Sequence, residues 1–282
     1  MPLVTTKQML LDAQSGKYAV GAFNVENMEM IMAVVKAASV LRSPVILQTT
    51  PSTVKYAGLD YFYSIAKVAA ENSKVPIAIH LDHGDSFTLA MRALHAGYTS
   101  IMIDGSHLSF EDNISITKKV VDVCDAMNIG VEAELGKIGG KEDNLDGGSG
   151  NCTDPLEAQQ FVERTGATTL AIAIGTAHGV YKGEPKVDIE RLRQIKEVVS
   201  IPLVLHGTSG VADTIVQDCI KHGICKVNYA TDLRIIFTKA LREALDNDLS
   251  MIDPKKYNVV GKEAVMKYVM ERIKILGSEN KA

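Results

Sequence analysis

Eight short apolar runs rich in valine and isoleucine recur along the chain, and a segment long enough for a helix separates most of them from the next. Buried parallel strands have this pattern because helices cover both faces of the sheet. Eight alternating units favour closure into a (β/α)8 TIM barrel. The runs are YAVGAF (18–23), SPVILQT (43–49), VPIAIHLDH (75–83), SIMID (100–104), IGVEAELG (129–136), TTLAIAIG (168–175), IPLVLHG (201–207) and ICKVN (224–228).

The length of the chain agrees with this architecture. Its 282 residues are close to the size of one such barrel, so we predict one domain over residues 1–282. An open, doubly wound sheet of six strands is the structural alternative. It is less favoured because no G-x-G-x-x-G sequence follows the first run.

Two segments interrupt the alternation. Residues 136–154, GKIGGKEDNLDGGSGNCTD, combine glycine with acidic and amide side chains, which predicts a long mobile loop without regular structure. Residues from about 233 to 274 predict two helices, more than a barrel unit needs, and so a C-terminal helical extension. Such an extension could cover one barrel end or contact another subunit.

Composition and charge exclude several classes of function. The formal net charge is -4, and no basic stretch alternates with aromatic residues, so we expect no nucleic-acid partner. No apolar run approaches the ~20 residues that span a bilayer, and the first residues do not resemble a signal peptide. We therefore expect a cytoplasmic protein whose four cysteines are reduced structural thiols.

Polar residues cluster where the predicted strands end, which is the end of a barrel that carries active sites. Three of these residues are His83, His178 and His206, after the third, sixth and seventh strands. Together they could supply the three nitrogen ligands of a catalytic zinc site. Their positions alone leave ordinary buried histidines as an equal alternative. We interpret the other four as structural: His80, His95, His107 and His222.

Glycines beside two of these histidines suggest an anion site. HGV begins at His178 and HGTSG at His206, and glycine lets backbone N–H groups approach a ligand closely. We expect a helix to begin in the segment after His206, with the Ser209 hydroxyl at its start beside the NYATD sequence of the eighth strand. For either segment alone, an ordinary helix cap is the alternative to an anion site. The two segments together favour a phosphate-binding site.

Six motifs in order along the chain resemble the class II fructose-bisphosphate and tagatose-bisphosphate aldolases. The resemblance extends from Thr6 to the final GSENKA sequence. The motifs are HLDHGD (80–85), IMIDGSH (101–107), VEAELGKIGGKED (131–143), AIGTAHGVYKGEP (173–185), PLVLHGTSGV (202–211) and KVNYATDLR (226–234).

The resemblance implies reversible aldol cleavage of a ketose phosphate to dihydroxyacetone phosphate and an aldehyde. It assigns zinc to the three histidines, with the metal acting as a Lewis acid that stabilises an enediolate. Asp82 matches the residue that exchanges a proton with the C4 hydroxyl. Glu142 matches the carboxylate that moves the C3 proton. Glu134 matches a residue that can reach zinc, and Asp104 matches part of an ancillary metal site.

The same resemblance implies contacts with substrate and ions. The expected substrate contacts are Asn24, Gly179, Gly207, Thr208, Ser209, Asn228, Tyr229, Ala230, Thr231 and Arg234. Arg234 matches a residue that, in some relatives, reaches the distal phosphate of a neighbouring subunit's substrate. A monovalent cation, Na⁺ or K⁺, is expected at Ala177, Gly179, Gly207 and Ser209. The family also implies a homodimer or homotetramer, and tagatose-type relatives can require a non-catalytic helper subunit.

The identity of the sugar rests on one position. Ala230 stands where fructose-bisphosphate enzymes usually carry aspartate, and alanine resembles the tagatose type. We therefore expect tagatose 1,6-bisphosphate, with fructose 1,6-bisphosphate or another ketose phosphate as the alternative. A zinc hydrolase and a non-catalytic sugar-phosphate-binding subunit are the rival functions. The hydrolase usually needs an H-x-H pair on an early strand, whereas His80 and His83 are three residues apart.

Overall fold

A computed structural model of the chain describes the backbone of residues 3–142, 145–148, 150–181 and 183–282, and their side chains except at 141–148. Eight strands form a closed parallel barrel in the order β1-β11-β10-β8-β5-β4-β3-β2. The predicted (β/α)8 barrel is therefore confirmed. Its strands are β1 (Val20–Asn24), β2 (Val45–Thr49), β3 (Ile77–Gly84), β4 (Ser100–Ile103), β5 (Gly130–Leu135), β8 (Thr169–Ile172), β10 (Leu203–Leu205) and β11 (Ile224–Tyr229).

Every residue of these eight strands is buried, which explains why each is visible as a largely apolar run. Side chains alternate between the barrel interior and the surrounding helices. The helices before the extension are α1 (Thr6–Gly16), α2 (Met28–Leu41), α3 (Pro51–Ala57), α4 (Leu59–Glu71), α5 (Phe87–Ala96), α6 (Phe110–Ala126), α7 (Pro155–Thr165), α8 (Ile189–Val198) and α9 (Asp213–Lys221).

The chain ends in the predicted helical extension, formed by α10 (Thr231–Asn247) and α11 (Pro254–Ile275). Both helices pack against each other, and α11 also packs along α2. Tyr268 of α11 donates a hydrogen bond of 2.6 Å to Asp232 of α10, and Arg272 pairs with Asp213 at the start of α9. The extension is thus attached to the outer helices of the barrel.

The glycine-rich segment 136–154 differs from the prediction. It contains two short antiparallel strands, β6 (Gly139–Glu142) and β7 (Leu145–Gly148), and β6 also pairs with β9 (Ala177–His178). The prediction of no regular structure was wrong, because β6 finds its second partner far along the chain. Gly140 permits this pairing, since a Cβ atom there would lie 2.2 Å from the His178 carbonyl oxygen.

Two further observations concern the class of protein. Among the described residues, no helix is both long enough and apolar enough to cross a membrane. The four cysteines are free thiols: Cys124, Cys219 and Cys225 are buried, and Cys152 is exposed. This agrees with the expectation that they are not paired in disulfides.

Candidate metal centre and phosphate pocket

The end of β3 is irregular, and this irregularity brings two neighbouring side chains into the site. His83 adopts a left-handed backbone conformation with φ of 48°, and the pairing of β3 with β4 shifts register between Leu81 and Gly84. In a regular strand, Asp82 and His83 would point to opposite faces. The turn lets the side chains of both residues contact polar groups of the barrel interior.

The three histidines predicted as zinc ligands lie together. One nitrogen atom from each of His83, His178 and His206 lies within 4.8 Å of the others. The ring centroids of His83 and His178 are 5.0 Å apart, and those of His83 and His206 are 4.8 Å apart. His83 and His206 are buried, whereas His178 is partly exposed. Such a cluster matches a catalytic metal site with an open fourth position.

Hydrogen bonds orient two of these rings toward one point. His83 Nδ1 lies 2.8 Å from the Asp104 carboxylate, and a carboxylate can only accept, so the lone pair of His83 is on Nε2. That Nε2 atom faces His206 Nδ1 at 3.1 Å. His206 Nε2 in turn lies 2.9 Å from Glu132 Oε1. The two facing nitrogen atoms therefore fit a metal ion as acceptors, which satisfies one requirement of the predicted site.

Glu134 and Asp104 border the same cluster. They form with His83 a second group whose ligand atoms lie within 4.8 Å of one another. Oε2 of Glu134 is buried and has no hydrogen-bond partner among the described residues, as expected for an atom that faces a cation. Burial raises the pKa of Glu134 well above its usual range, and the nearby charge of Asp104 raises it further. Burial opposes ionisation of Asp104 too, but its hydrogen bonds with His83 and Ser106 outweigh burial and lower its pKa.

The carboxylate of Asp82 is held by side-chain amides from three strands. Asn24 donates a hydrogen bond of 2.8 Å to Oδ2, and Gln48 donates one of 3.2 Å to the same oxygen. Asn228 donates a hydrogen bond of 3.2 Å to Oδ1. Gln48 also donates a hydrogen bond of 2.7 Å to Oδ1 of the Asn24 side chain. Asp82 is fully buried, so this network fixes its orientation. A carboxylate fixed beside a metal centre can exchange a proton with a bound hydroxyl group.

A small polar pocket lies next to His178. Its lining combines two glycine-containing loops with the end of β11 and the start of α10: His178, Gly179, Gly207, Thr208, Ser209, Asn228, Ala230 and Thr231. The helix expected to begin beside Ser209 does not, because α9 begins only at Asp213. Instead α10, which begins at Thr231, directs its N-terminus there, and its N-cap residue Ala230 has no side chain that could cap it. Ser209 Oγ accepts a hydrogen bond of 3.3 Å from the Asp232 N–H in the first turn of this helix. The pocket thus lies where the anion site was predicted, but another helix borders it.

The Tyr181 hydroxyl connects the two loops of this pocket. It donates a hydrogen bond of 2.6 Å to the Gly207 carbonyl oxygen and accepts one of 2.7 Å from the Ala177 N–H. Ala177 precedes the predicted metal ligand His178, and Gly207 follows His206. One hydroxyl group therefore holds together two segments that carry predicted ligands.

Three predicted site residues lie elsewhere or differ in their contacts. The ring of Tyr229 is 1% exposed and stacks on Phe23, with centroids 5.7 Å apart, so the ring lies in the core. Arg234 forms an ion pair with Glu26, with Nη2 2.6 Å from Oε1. The backbone of Glu142 belongs to β6, but its side chain lies outside the described part of the chain.

Several residues of the site were not predicted from the sequence. Gln48 and Lys226 are polar residues inside apolar strands, a signal that marks a buried polar contact without identifying its partner. Lys226 Nζ lies 2.8 Å from Glu132 Oε2. Burial would raise the pKa of Glu132, but the Lys226 charge and the His206 hydrogen bond outweigh it and lower this pKa. Burial and the Lys226 charge lower the pKa of His80, whose Nδ1 lies 2.7 Å from Ser100 Oγ.

The closed parallel barrel, its histidine cluster and the adjoining anion pocket define a barrel enzyme with a candidate metal centre at the carboxyl ends of its strands. Comparison with known families gives the more specific class. The family profile "Fructose-bisphosphate aldolase class-II" matches residues 4–281. The chain belongs to this family, and it is a class II aldolase, a carbon–carbon lyase of phosphorylated sugars.

Solved structures agree with this assignment. The YdjI aldolase of Escherichia coli K12 is 35% identical, with a TM-score of 0.89 over 99% of each chain. A Coccidioides immitis protein, provisionally described as a fructose-1,6-biphosphate aldolase, is 33% identical with a TM-score of 0.90, covering 97% of this chain and 96% of its own. Fructose-bisphosphate aldolase of Campylobacter jejuni shares the fold at 22% identity, with a TM-score of 0.85 over 100% and 97% of the two chains.

Proposed function

We propose that this aldolase reversibly cleaves tagatose 1,6-bisphosphate to dihydroxyacetone phosphate and glyceraldehyde 3-phosphate, with zinc at the three-histidine cluster. The observation that carries the proposal is the adjacency of that cluster to the anion pocket, with His178 belonging to both. A ketose whose phosphate occupies the pocket would present its C2 and C3 oxygen atoms near the histidines.

The three histidines would hold zinc, with His83 using Nε2 and His206 using Nδ1. Zinc, when bound, would supply Lewis-acid polarisation of the ketose carbonyl and positive charge for the developing enediolate. The donor set supports zinc, since imidazole nitrogen is a common ligand of this metal. Glu134, with its buried and unpartnered Oε2, would be an additional ligand, and Asp104 would belong to an ancillary metal site.

The chain's own groups would carry the proton transfers. During cleavage, Asp82 would accept the proton of the C4 hydroxyl as the C3–C4 bond breaks and the aldehyde forms. The bonding electron pair would remain on the dihydroxyacetone phosphate fragment as an enediolate, and Glu142 would return a proton to its C3 atom. Asn24 and Gln48 would keep the Asp82 carboxylate pointed at the hydroxyl group.

The phosphate of the dihydroxyacetone half would be bound by backbone and hydroxyl groups of the pocket. The expected contacts are Gly179, Gly207, Thr208, Ser209, Asn228, Ala230 and Thr231, all of which line it. The Na⁺ or K⁺ site would use Ala177, Gly179, Gly207 and Ser209. The Gly207 carbonyl oxygen already accepts one hydrogen bond from Tyr181, so a second lone pair would serve the cation.

Ala230 supports tagatose over fructose, because this position lines the pocket and lacks the carboxylate that fructose enzymes usually carry there. The test is the ratio of kcat/KM for tagatose and fructose 1,6-bisphosphates, with Ala230→Asp as the matched variant. We expect the native chain to prefer tagatose, and the variant to move the ratio toward fructose. Equal values for the native chain would eliminate the tagatose assignment.

The role of Glu142 has a separate test. Glu142→Ala should still bind dihydroxyacetone phosphate but exchange its C3 proton with solvent at least ~100-fold more slowly, a typical general-base contribution. Glu142→Gln keeps the size of the side chain and should show the same loss. Exchange at the native rate in both variants would exclude Glu142 as the base.

The assembly and location of the enzyme are part of the proposal. We propose one domain over residues 1–282 that forms a homodimer or homotetramer, with a helper subunit as a further partner. The segment between α10 and α11 supports an interface, because Leu249 is 91% exposed and Ile252 is 88% exposed. Free thiols support a reducing, cytoplasmic location.

A further inference from the structure

A charged pair lies in the barrel interior beneath the metal centre. Glu132 on β5 is 2% exposed and Lys226 on β11 is 0% exposed. Lys226 Nζ lies 2.8 Å from Oε2 and 3.1 Å from Oε1 of Glu132. Moving two charges out of water is costly, and apolar residues of similar size are often at least as stable. The fold alone therefore gives little reason for this pair.

The carboxylate of this pair contacts a predicted metal ligand. Oε1 of Glu132 lies 2.9 Å from His206 Nε2. We propose that the Glu132–Lys226 pair is a positioning device for His206, which fixes the ring tautomer that presents the Nδ1 lone pair to the metal. The inference rests on the proposed metal centre. It adds two residues to which no role in the reaction has been given above.

The argument for the tautomer uses donor and acceptor capacity. An ionised carboxylate has no hydrogen to donate, so His206 must donate its Nε2–H to Glu132. The proton is then absent from Nδ1, which lies 3.1 Å from His83 Nε2. The amide nitrogen of Asn228 lies 3.1 Å from His206 Nε2, but it also lies 3.2 Å from Asp82 Oδ1 and can donate there. The Nε2–H remains directed at Glu132.

Lys226 has a distinct part in this arrangement. Its ammonium group contacts both carboxylate oxygens, so its charge balances the carboxylate in the buried barrel interior. His80, another titratable neighbour, has Nε2 3.8 Å from Glu132 Oε2, beyond hydrogen-bonding distance. The lysine is therefore the group that keeps Glu132 a pure acceptor for His206.

His83 gives an internal comparison within the same centre. Asp104 accepts from its Nδ1 at 2.8 Å, which leaves Nε2 for the metal. A buried carboxylate thus orients two of the three rings. Asp104 accepts from Nδ1 of His83, and Glu132 accepts from Nε2 of His206. Outer carboxylates of this kind raise ligand basicity, and their removal typically weakens metal affinity by about 10–100-fold.

The test uses Glu132→Gln, Lys226→Met and the double variant, all as full-length chains. Zinc affinity is measured by competition with a chromophoric chelator, and the His206 tautomer by ¹⁵N NMR of the zinc-depleted protein. Glutamine keeps the shape of the side chain but can donate to Nε2, so we expect loss of the pure Nε2–H tautomer and about 10–100-fold weaker zinc binding. Lys226→Met should weaken zinc binding similarly.

The double variant separates positioning from stability. It removes both buried charges, so its folding stability should recover relative to Lys226→Met, while zinc binding stays weak. Tyr98→Phe is the control, because it removes a buried 2.9 Å hydrogen bond to Thr49 without contacting the histidines, and it should bind zinc normally. Native zinc affinity in Glu132→Gln or in the double variant would overturn the proposal, as would an Nδ1–H tautomer of His206 in the native chain.

The outcomes also separate this inference from the proposed function. If the native chain binds no zinc, the metal centre itself is wrong, and the role of Glu132 is lost with it. If the native chain binds zinc and Glu132→Gln binds it equally well, only the positioning role is refuted.

Discussion

Gly207→Ala should damage the proposed zinc centre without altering any of its three histidines. Gly207 has φ of 64°, and a Cβ atom there would lie 2.6 Å from the Ala177 carbonyl oxygen and 2.7 Å from its carbonyl carbon. Ordinary contact begins at 3.4 Å, so the Ala177 backbone must move by about 0.8 Å. His178 follows directly and would move with it. Ligand distances in metal sites tolerate only about 0.2 Å, so we expect zinc affinity to fall on the order of 100-fold, about 2.8 kcal/mol.

Gly166→Ala is the matched control for this experiment. Gly166 has a similar φ of 69°, but an added Cβ would meet only Val121, at 3.6 Å. Both variants should lose about 1–2 kcal/mol of folding stability from the left-handed backbone, measured by urea unfolding. Only Gly207→Ala should bind zinc more weakly in the chelator competition assay. Equal zinc affinities for the two variants would refute the argument that Gly207 sets the position of His178.

Three other variants test the polar contacts around the site. Tyr181→Phe removes two hydrogen bonds between the ligand-bearing loops and should cost about 1–3 kcal/mol; an unchanged thermal midpoint of the metal-free protein would contradict this. Gln48→Leu removes one donor from Asp82, so kcat should fall about 10-fold; a change confined to KM would show that Gln48 does not position the carboxylate. Glu26→Gln removes the charge that occupies Arg234, so KM should fall for the bisphosphate but not for a ketose 1-phosphate; equal effects on both would exclude a distal-phosphate role for the arginine.

All eight barrel strands could be predicted because burial on both faces makes each strand a largely apolar run. Boundaries differed by a few residues, since apolar loop residues such as Ile174 extend the pattern beyond the strand. The strands β6 and β7 could not be predicted. Their sequence is rich in glycine and charge, and β6 pairs with β9, which follows in the chain only after α7 and β8.

The candidate site was only partly visible in the sequence. Three histidines at strand ends could be found because position in a barrel indicates the active end. Their supporting partners could not, since the contact of Glu132 with Lys226 depends on how β5 and β11 face each other across the barrel. The helix that borders the anion pocket was also misplaced, because α10 begins directly after the apolar strand that ends at Tyr229.

The most direct test of the central claim is a zinc titration of the metal-depleted enzyme. Chain dialysed against a chelator is mixed with tagatose 1,6-bisphosphate, and release of dihydroxyacetone phosphate is followed as zinc is returned. We predict no release before zinc is added, and activity that rises in proportion to bound zinc until one ion per chain is reached. A His206→Ala chain should neither bind the ion nor recover. Full cleavage by the metal-free chain would contradict a metal centre at His83, His178 and His206.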